Sequence, residues 1–260
     1  MKPKLIAAVA ASAIGLVAAQ SVVSSVAAAK IVKPAAKVAA VVGIPSIAKF
    51  TSQRIRTLTM DTSVVTENRP QLEKISGDFA QAYRFHHVAV AYAQPDKLQF
   101  ESVVLGTHIT YTINGNRKFT SIPTYHVHKV EDTTGAPGKK QSLLDVGLVP
   151  PELFSLYNAR FIKRDGGDLV FQIQPKQIGE TYKDIVWIDP VTHITTKRQH
   201  FNRDGKLTAW YQYLNPTQPR PRMYVPTRVE VYNPDNQLAA VTAYTNIKIN
   251  LPVDNNIFDF

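Results

Sequence analysis

The sequence predicts a mainly β fold of the α+β class: a strongly curved antiparallel sheet that forms an incomplete barrel, with a few helices as a lid over its concave face. Short segments that alternate apolar and polar side chains recur from Tyr83 to Ile249, as strands with one buried face do. The turns between them are short and rich in Asn, Asp, Gly and Pro, which favours antiparallel neighbours. A sheet with so many strands must curl or split into two layers.

Composition limits the class of protein. The chain has 260 residues, a length that suits one large β domain or two small ones. It has no cysteine, which excludes structural disulfides, thiolate chemistry and a lipid anchor on an N-terminal cysteine. The formal net charge is +10, which favours anionic neighbours. The Lys and Arg residues are scattered, however, and no basic–aromatic module stands out, so we expect no nucleic-acid partner.

Residues 1–29 have the pattern of a cleaved signal peptide. Lys2 and Lys4 precede an apolar run over Leu5–Ala19, and Ala27-Ala28-Ala29 offers the small side chains that a signal peptidase accepts. A cut near residues 18–20 is an alternative. An uncleaved anchor is the competing interpretation, but the apolar run of about 15 residues is shorter than the roughly 20 that span a membrane. We therefore expect export to the periplasm.

The mature chain is predicted to start with an Ala/Lys/Pro-rich linker over residues 30–46, followed by a single domain over residues 47–260. A first helix is predicted over Ile47–Leu58, where four apolar side chains lie near one face. A second begins at Pro70, since proline is tolerated in a first turn, and it ends between Gly77 and Ala82. Its apolar side chains recur at helical spacing at Leu72, Ile75 and Phe79.

The strands follow in a long meander. Residues 131–157 interrupt it with a turn-rich stretch and one or two short helices within Ser142–Tyr157, where a lid or rim element is expected. Strands then resume after the turn at Asp165-Gly166-Gly167-Asp168. The predicted strands are His87–Tyr92, Leu98–Ser102, Thr107–Ile113, one or two over Phe119–Val130, Leu169–Gln174, Asp184–Ile188, Thr195–Asn202, Lys206–Leu214, Val225–Tyr232 and Gln237–Ile249.

The order of several short motifs resembles that of a known superfamily. The motifs are Ile75–Gln81 at the end of the second helix, Gln94–Glu101 after an apolar strand, Leu169–Lys176, Ile185–Pro190, His200–Lys206 and Tyr244–Phe258. In this order, over about 180 residues, the chain resembles the outer-membrane lipoprotein-sorting carriers LolA and LolB and relatives such as the RseB sensor domain, as a divergent member.

The resemblance implies an incomplete barrel lined with apolar side chains, lidded by helices and holding acyl chains, without catalysis. It implies a periplasmic carrier of lipid or lipoprotein, expected as a monomer. The alternative is an envelope sensor or protein-interaction module of the RseB type, which recognises a membrane protein partner. LolA carries an Arg immediately before the strand-turn proline, where it helps to hold the lid closed. That position is Gln94 here, so the resemblance does not extend to this lid contact.

The candidate site is the apolar cavity itself. Its predicted lining residues are Phe79, Val90, Leu98, Phe100, Tyr111, Trp187 and Trp210; a plain packed core is the competing interpretation of each. No catalytic residue and no cofactor is predicted, because the motifs of hydrolases and nucleotide-binding enzymes are missing, although an envelope hydrolase or polysaccharide-binding domain remains a third alternative. No metal site is predicted either: His126 and His128 would share one face of a strand, but a third ligand is missing.

Overall fold

The computed structural model describes residues 45–134, 136–177, 179 and 181–259. The predicted signal peptide and all of the predicted linker except Pro45 and Ser46 lie outside the described residues. None of the described helices is long and apolar enough to cross a membrane.

The described chain is mostly strand. Three short α-helices are present among the described residues, α1 (Arg69–Ile75), α2 (Gly77–Ala82) and α3 (Leu153–Leu156), and 3-10 helices cover Ile47–Phe50, Pro123–Tyr125, Pro137–Lys139, Leu143–Val146 and Asn255–Phe258. The strands are β1 (Thr57–Glu67), β2 (His87–Ala93), β3 (Lys97–Val104), β4 (Thr107–Asn114), β5 (Arg117–Ile122), β6 (Val127–Asp132), β7 (Tyr157–Asp165), β8 (Asp168–Pro175), β9 (Lys183–Ile188), β10 (Thr195–Phe201), β11 (Leu207–Leu214), β12 (Thr217–Arg220), β13 (Met223–Val225), β14 (Arg228–Tyr232) and β15 (Leu238–Ile249).

Thirteen of these strands form one sheet, in the order β6-β5-β4-β3-β2-β1-β15-β14-β11-β10-β9-β8-β7, and β12 and β13 form a separate hairpin. Every pairing in the sheet is antiparallel. The first and last strands pair with each other near its middle, while β6 and β7 are its two edges. The sheet is therefore an incomplete barrel, which confirms the predicted fold class.

Two predicted local structures are wrong, and four strands, β1, β7, β12 and β13, were missed. Ile47–Leu58 is not a helix: a single 3-10 turn ends at Phe50, and Leu58 belongs to β1, where it pairs with both Tyr92 and Ile249. The second predicted helix is two helices, because Ser76 ends α1 and caps α2 through its Oγ, 2.9 Å from the backbone N of Phe79. Strand β7 was not predicted. It is an edge strand in which Tyr157, Ala159 and Phe161 alternate with exposed residues and pack on the inner face, while its last four residues are exposed.

The inner face of the sheet is covered by two apolar clusters. One joins Leu72 and Ile75 of α1 and Phe79 of α2 to strands β1–β4, β11, β14 and β15. The other joins residues of the 143–153 region, among them Leu144 and Leu153, to strands β8 and β9. The helices thus cover the inner face from one side and the segment between β6 and β7 covers it from the other.

That second cover, residues 136–156, is here called the covering segment. On one side its side chains bond to the β2–β4 region, through Lys140 with Asp96, Gln141 with Tyr111 and Glu152 with Tyr92. On the other side, the carbonyl of Gly147 accepts a hydrogen bond from the backbone N of Thr195 at 2.8 Å. Polar contacts therefore hold the covering segment across the opening of the barrel.

Arg198 of β10 is the centre of a buried ionic cluster that adds to this attachment. Its guanidinium donates to Asp145 of the covering segment at 2.7 Å and to Asp184 of β9 at 3.2 Å. His200 Nδ1 lies 3.0 Å from Asp184 Oδ1, and Arg198, Asp184 and His200 are each at most 5% exposed. Burial by itself raises the pKa of Asp184, but the charge of Arg198 and the hydrogen bonds outweigh it and lower the pKa to about 2.

Replacing Asp184 with Asn should lower the free energy of unfolding at pH 7 by about 3–5 kcal/mol, because the buried charge of Arg198 loses a partner. With a folded pKa of about 2 and an unfolded pKa of about 4, the carboxylate stabilises the fold above about pH 4, and this contribution is lost as the pH falls through about 2. The variant should therefore lose less stability than the wild type between those two pH values in urea unfolding.

Asp204→Asn, at an exposed position, is the control. Unchanged stability of Asp184→Asn at pH 7 would contradict this account.

Gly147 is a position at which the covering segment lies close to the sheet. Its φ is +87°, and a Cβ there would lie 2.6 Å from Cδ1 of the Tyr213 ring, which is itself buried. Gly147→Ala should therefore destabilise the fold by about 2–4 kcal/mol, from the left-handed backbone and the overpacking together.

Gly205→Ala is the matched control for Gly147→Ala. Gly205 also has a positive φ, +75°, but a Cβ at this position would have no atom within 4 Å, so only the backbone cost of about 1–2 kcal/mol remains. Equal losses in the two variants, measured by urea unfolding, would show that Gly147 does not mark a close contact.

Candidate functional site

The inner face of the sheet and α2 enclose an apolar cavity of about 100 Å³. Its walls come from six strands that are consecutive in the sheet, from α2 and the residues after it, and from the covering segment. The lining residues are Thr62, Val64, Phe79, Ala82, Tyr83, Phe85, Val88, Val90, Phe100, Asp145, Val146, Tyr211, Val229, Val231, Thr242 and Tyr244.

Strand alternation places these side chains. In β2, Val88 and Val90 are buried while His87 and Ala89, which alternate with them, are exposed, as period-two geometry requires. In β14, Val229 and Val231 share the same phase. The β-branched valines favour strand backbone and give the cavity a smooth aliphatic wall.

Three tyrosines supply the polar points of the cavity. Burial raises the pKa of Tyr83, Tyr211 and Tyr244 well above its ordinary value, so their rings stay neutral. The Tyr211 hydroxyl is buried and has no hydrogen-bond partner among the described residues. The only charged lining residue, Asp145, is already paired with Arg198 at 2.7 Å. The cavity therefore offers an aliphatic and aromatic surface to a ligand.

The volume of the cavity limits what it can hold in this conformation. About 100 Å³ equals the liquid volume of about three water molecules, whereas sites for ligands of drug size measure about 300–1,000 Å³. A ligand longer than a few atoms therefore enters only if part of the cover moves.

The two parts of the cover differ in how they are attached. The covering segment has the polar contacts described above, and α1 is bonded to the β14–β15 turn through Lys74 with Asp235 (2.8 Å) and Gln71 with Asn233 (2.7 Å). Within the described residues, no hydrogen bond or ion pair joins α2 itself to the sheet. It is held by apolar contacts of Phe79 and its neighbours, so α2 is the part of the cover that moves at least cost.

Five of the seven residues predicted for the site lie on the inner face. Phe79, Val90 and Phe100 line the cavity. Leu98 and Tyr111 belong to the same apolar cluster without lining the cavity. Gln94, which replaces the Arg of LolA, lies outside the cavity, with its Nε2 3.5 Å from the carbonyl of Gln53.

The other two predicted residues, Trp187 and Trp210, are on the outer face, which corrects the prediction. Their neighbours Val186 and Tyr211 point inward, so the tryptophans point outward by strand alternation. The Nζ of Lys197 lies 5.0 Å and 4.9 Å from their two ring centroids. The two indoles and this lysine form a cation–π stack on the sheet surface.

In β11, the sequence itself indicates which side chains face inward. Thr208 and Gln212 share the phase of Trp210, whereas Ala209 and Tyr213 share that of Tyr211. The polar phase is the outer one, and Tyr211 is the cavity residue that this comparison finds. No such signal exists in β9, where both phases are apolar.

The described residues contain no group of three or more His, Asp or Glu side chains that could hold a metal ion. His126 and His128 do not share a strand: His126 ends a 3-10 helix with a left-handed backbone (φ 52°), and β6 starts after it.

Comparison with known proteins identifies the fold. No protein-family model matches the sequence, and no curated protein matches it. An outer membrane lipoprotein-sorting protein domain from Vibrio parahaemolyticus is similar in structure with a TM-score of 0.57 and 12% identity, covering 82% of this chain and 93% of that one. A LolA superfamily protein from Nitrosomonas europaea gives a TM-score of 0.56 and 12% identity, covering 81% and 95%.

A DUF1329 family protein from Desulfovibrio piger is also similar, with a TM-score of 0.50 and 9% identity, covering 82% of this chain and 94% of that one. These three proteins are aligned over 93–95% of their own length and over 81–82% of this chain. The protein has the fold of the LolA superfamily.

Proposed function

We propose that this protein binds lipid or the acyl chain of a lipoprotein in the cavity between α2 and the sheet, and carries it within the cell envelope without catalysis. The observation that carries the proposal is the cavity itself: an apolar space, walled by valines and neutral aromatic rings, at the centre of a sheet that does not close. The similar structures support it, since two of them are described as a lipoprotein-sorting domain and a LolA superfamily protein.

The cavity binds its ligand by burial. Each methylene group taken out of water contributes about 0.8 kcal/mol, so a chain of eight or more carbons needs no charged group to bind well.

Binding requires α2 to move outward. The space of about 100 Å³ is too small for an acyl chain, and α2 has no polar bond to the sheet among the described residues. The covering segment keeps its ionic and backbone contacts and remains in place. Displacement of α2 and Phe79 lengthens the cavity along the valine wall of β2 and β14.

The location and partners follow from the same proposal. The signal peptide predicted from the sequence takes the chain to the periplasm, where it acts as a monomer. A membrane protein of the envelope then delivers or receives the lipid. The sensor alternative predicts binding of such a partner without lipid.

Val64→Phe should weaken the binding of the methyl ester of parinaric acid, an uncharged fluorescent acyl probe, by about tenfold. Val64 lines the cavity and is half-buried, so a larger ring fills space equivalent to about two methylene groups without unfolding the protein. Fluorescence titration of the purified mature protein measures the affinity.

The control is Val65→Phe, the same substitution at the next residue of β1. Val65 is 53% exposed and does not line the cavity, so its variant should bind the probe like the wild type. If the wild type does not take up the probe at all, or if both variants bind it equally, the acyl-binding proposal fails and the protein-interaction alternative is favoured.

A further inference from the structure

A second pocket lies at one end of the barrel, away from the apolar cavity. It has a volume of about 500 Å³, which is within the range of small-molecule sites. Its walls come from three stretches, residues 48–55, residues 191–193 and residues 222–224, together with Leu148 of the covering segment. It shares no lining residue with the apolar cavity.

The lining of this pocket is basic. Lys49, Arg54, His193 and Arg222 line it, and among the described residues no acidic side chain does. Among the described residues, none of these four side chains takes part in an ion pair. The pocket therefore presents basic side chains that no acidic side chain of the described residues neutralises.

The walls that carry these groups are held in place by backbone contacts. Ser52 donates to the carbonyl of Val149 from both its backbone N (2.8 Å) and its Oγ (3.1 Å). The Asn250 side chain bonds the carbonyl of Arg54 at 2.8 Å. Asp189 Oδ1 accepts from the backbone N of Val191 and of Thr192, which uses the nearest carboxylate of that turn to fix the loop.

The remaining walls are apolar or aromatic. Ile55 and Leu148 are buried at the base, and Met223 and Tyr224 of β13 are half-buried. A ligand that fits this lining has an anionic group for the basic side and an apolar part for the base. Phosphate suits the basic side well, because arginine guanidinium groups bond phosphate oxygens in pairs.

We infer that this basic pocket binds the phosphate of an anionic amphiphile, such as a phosphatidic acid, with the glycerol and first acyl carbons against the apolar base. The inference deepens the proposed function, on which it rests for the class of ligand, but it concerns a separate site. The chain's own residues 30–44 are an unsuitable occupant on charge, since they contain Lys30, Lys33 and Lys37 and no acidic residue.

The test is calorimetric titration of the purified mature protein with dihexanoyl phosphatidic acid below its micelle concentration. Arg54→Gln/Arg222→Gln removes one exposed charge from each of two walls, and its affinity should fall by about tenfold or more. The control Lys206→Gln/Lys248→Gln removes two exposed charges elsewhere and should bind like the wild type. Circular dichroism checks that both double variants stay folded.

Three outcomes would overturn the inference: no binding by the wild type, equal weakening in both double variants, or inorganic phosphate binding as tightly as the lipid. The last would make this a site for free phosphate.

Binding to anionic vesicles of phosphatidylglycerol is a second measurement, and it should be weakened only by Arg54→Gln/Arg222→Gln. The uncharged parinaric ester should bind that variant normally, so failure at this pocket is distinguishable from failure at the apolar cavity.

Discussion

The sheet of thirteen strands does not close into a barrel, because its two edge strands, β6 and β7, do not pair with each other. Other parts of the chain must therefore cover its apolar inner face. The rest of the structure follows from this constraint. Two covers meet the need: helices α1 and α2 from one side and the covering segment from the other. Burial of apolar area drives both, but only the covering segment is also bound through a buried ionic cluster around Arg198. The covering segment is therefore held by ionic and polar contacts, whereas α2 itself is held to the sheet by apolar contacts alone within the described residues. The apolar cavity lies under α2.

Because the sheet does not close, the protein has two pockets whose linings differ in chemistry. The middle of the sheet is lined by valines and neutral tyrosines, which suits an uncharged chain. The pocket at one end carries four basic side chains and, within the described part of the chain, no acidic one, which suits an anion. An amphiphile has both parts, although the two pockets share no lining residue, so each can be tested without the other.

The strands and turns could be predicted because period-two alternation and Asn, Asp, Gly and Pro punctuation are local signals. Strand β1 was not predicted, because Leu58 at its start was included in a predicted helix; pairing with β2 and β15 decides its conformation. Strand β7 was missed at an edge of the sheet, although Tyr157, Ala159 and Phe161 alternate with polar residues. In the site, Phe79, Val90 and Phe100 followed from apolar phase, whereas Trp187 and Trp210 were chosen for size. In β11, the polar residue Gln212 lies on the same strand face as Trp210 and indicates that this face is the outer one. In β9 no residue gives such a signal, because both faces are apolar. The basic pocket is assembled from three distant stretches, so no local pattern shows it.

The central claim is that the apolar cavity under α2 is an acyl-binding site that admits its ligand when α2 moves outward. Native mass spectrometry of the mature protein, purified without detergent from its own periplasm, tests it most directly. The account predicts a fraction of molecules with one bound lipid or lipopeptide, and conversion of the empty fraction to that mass when the same lipid is offered. A protein that is found empty and stays empty with every lipid offered would contradict the account.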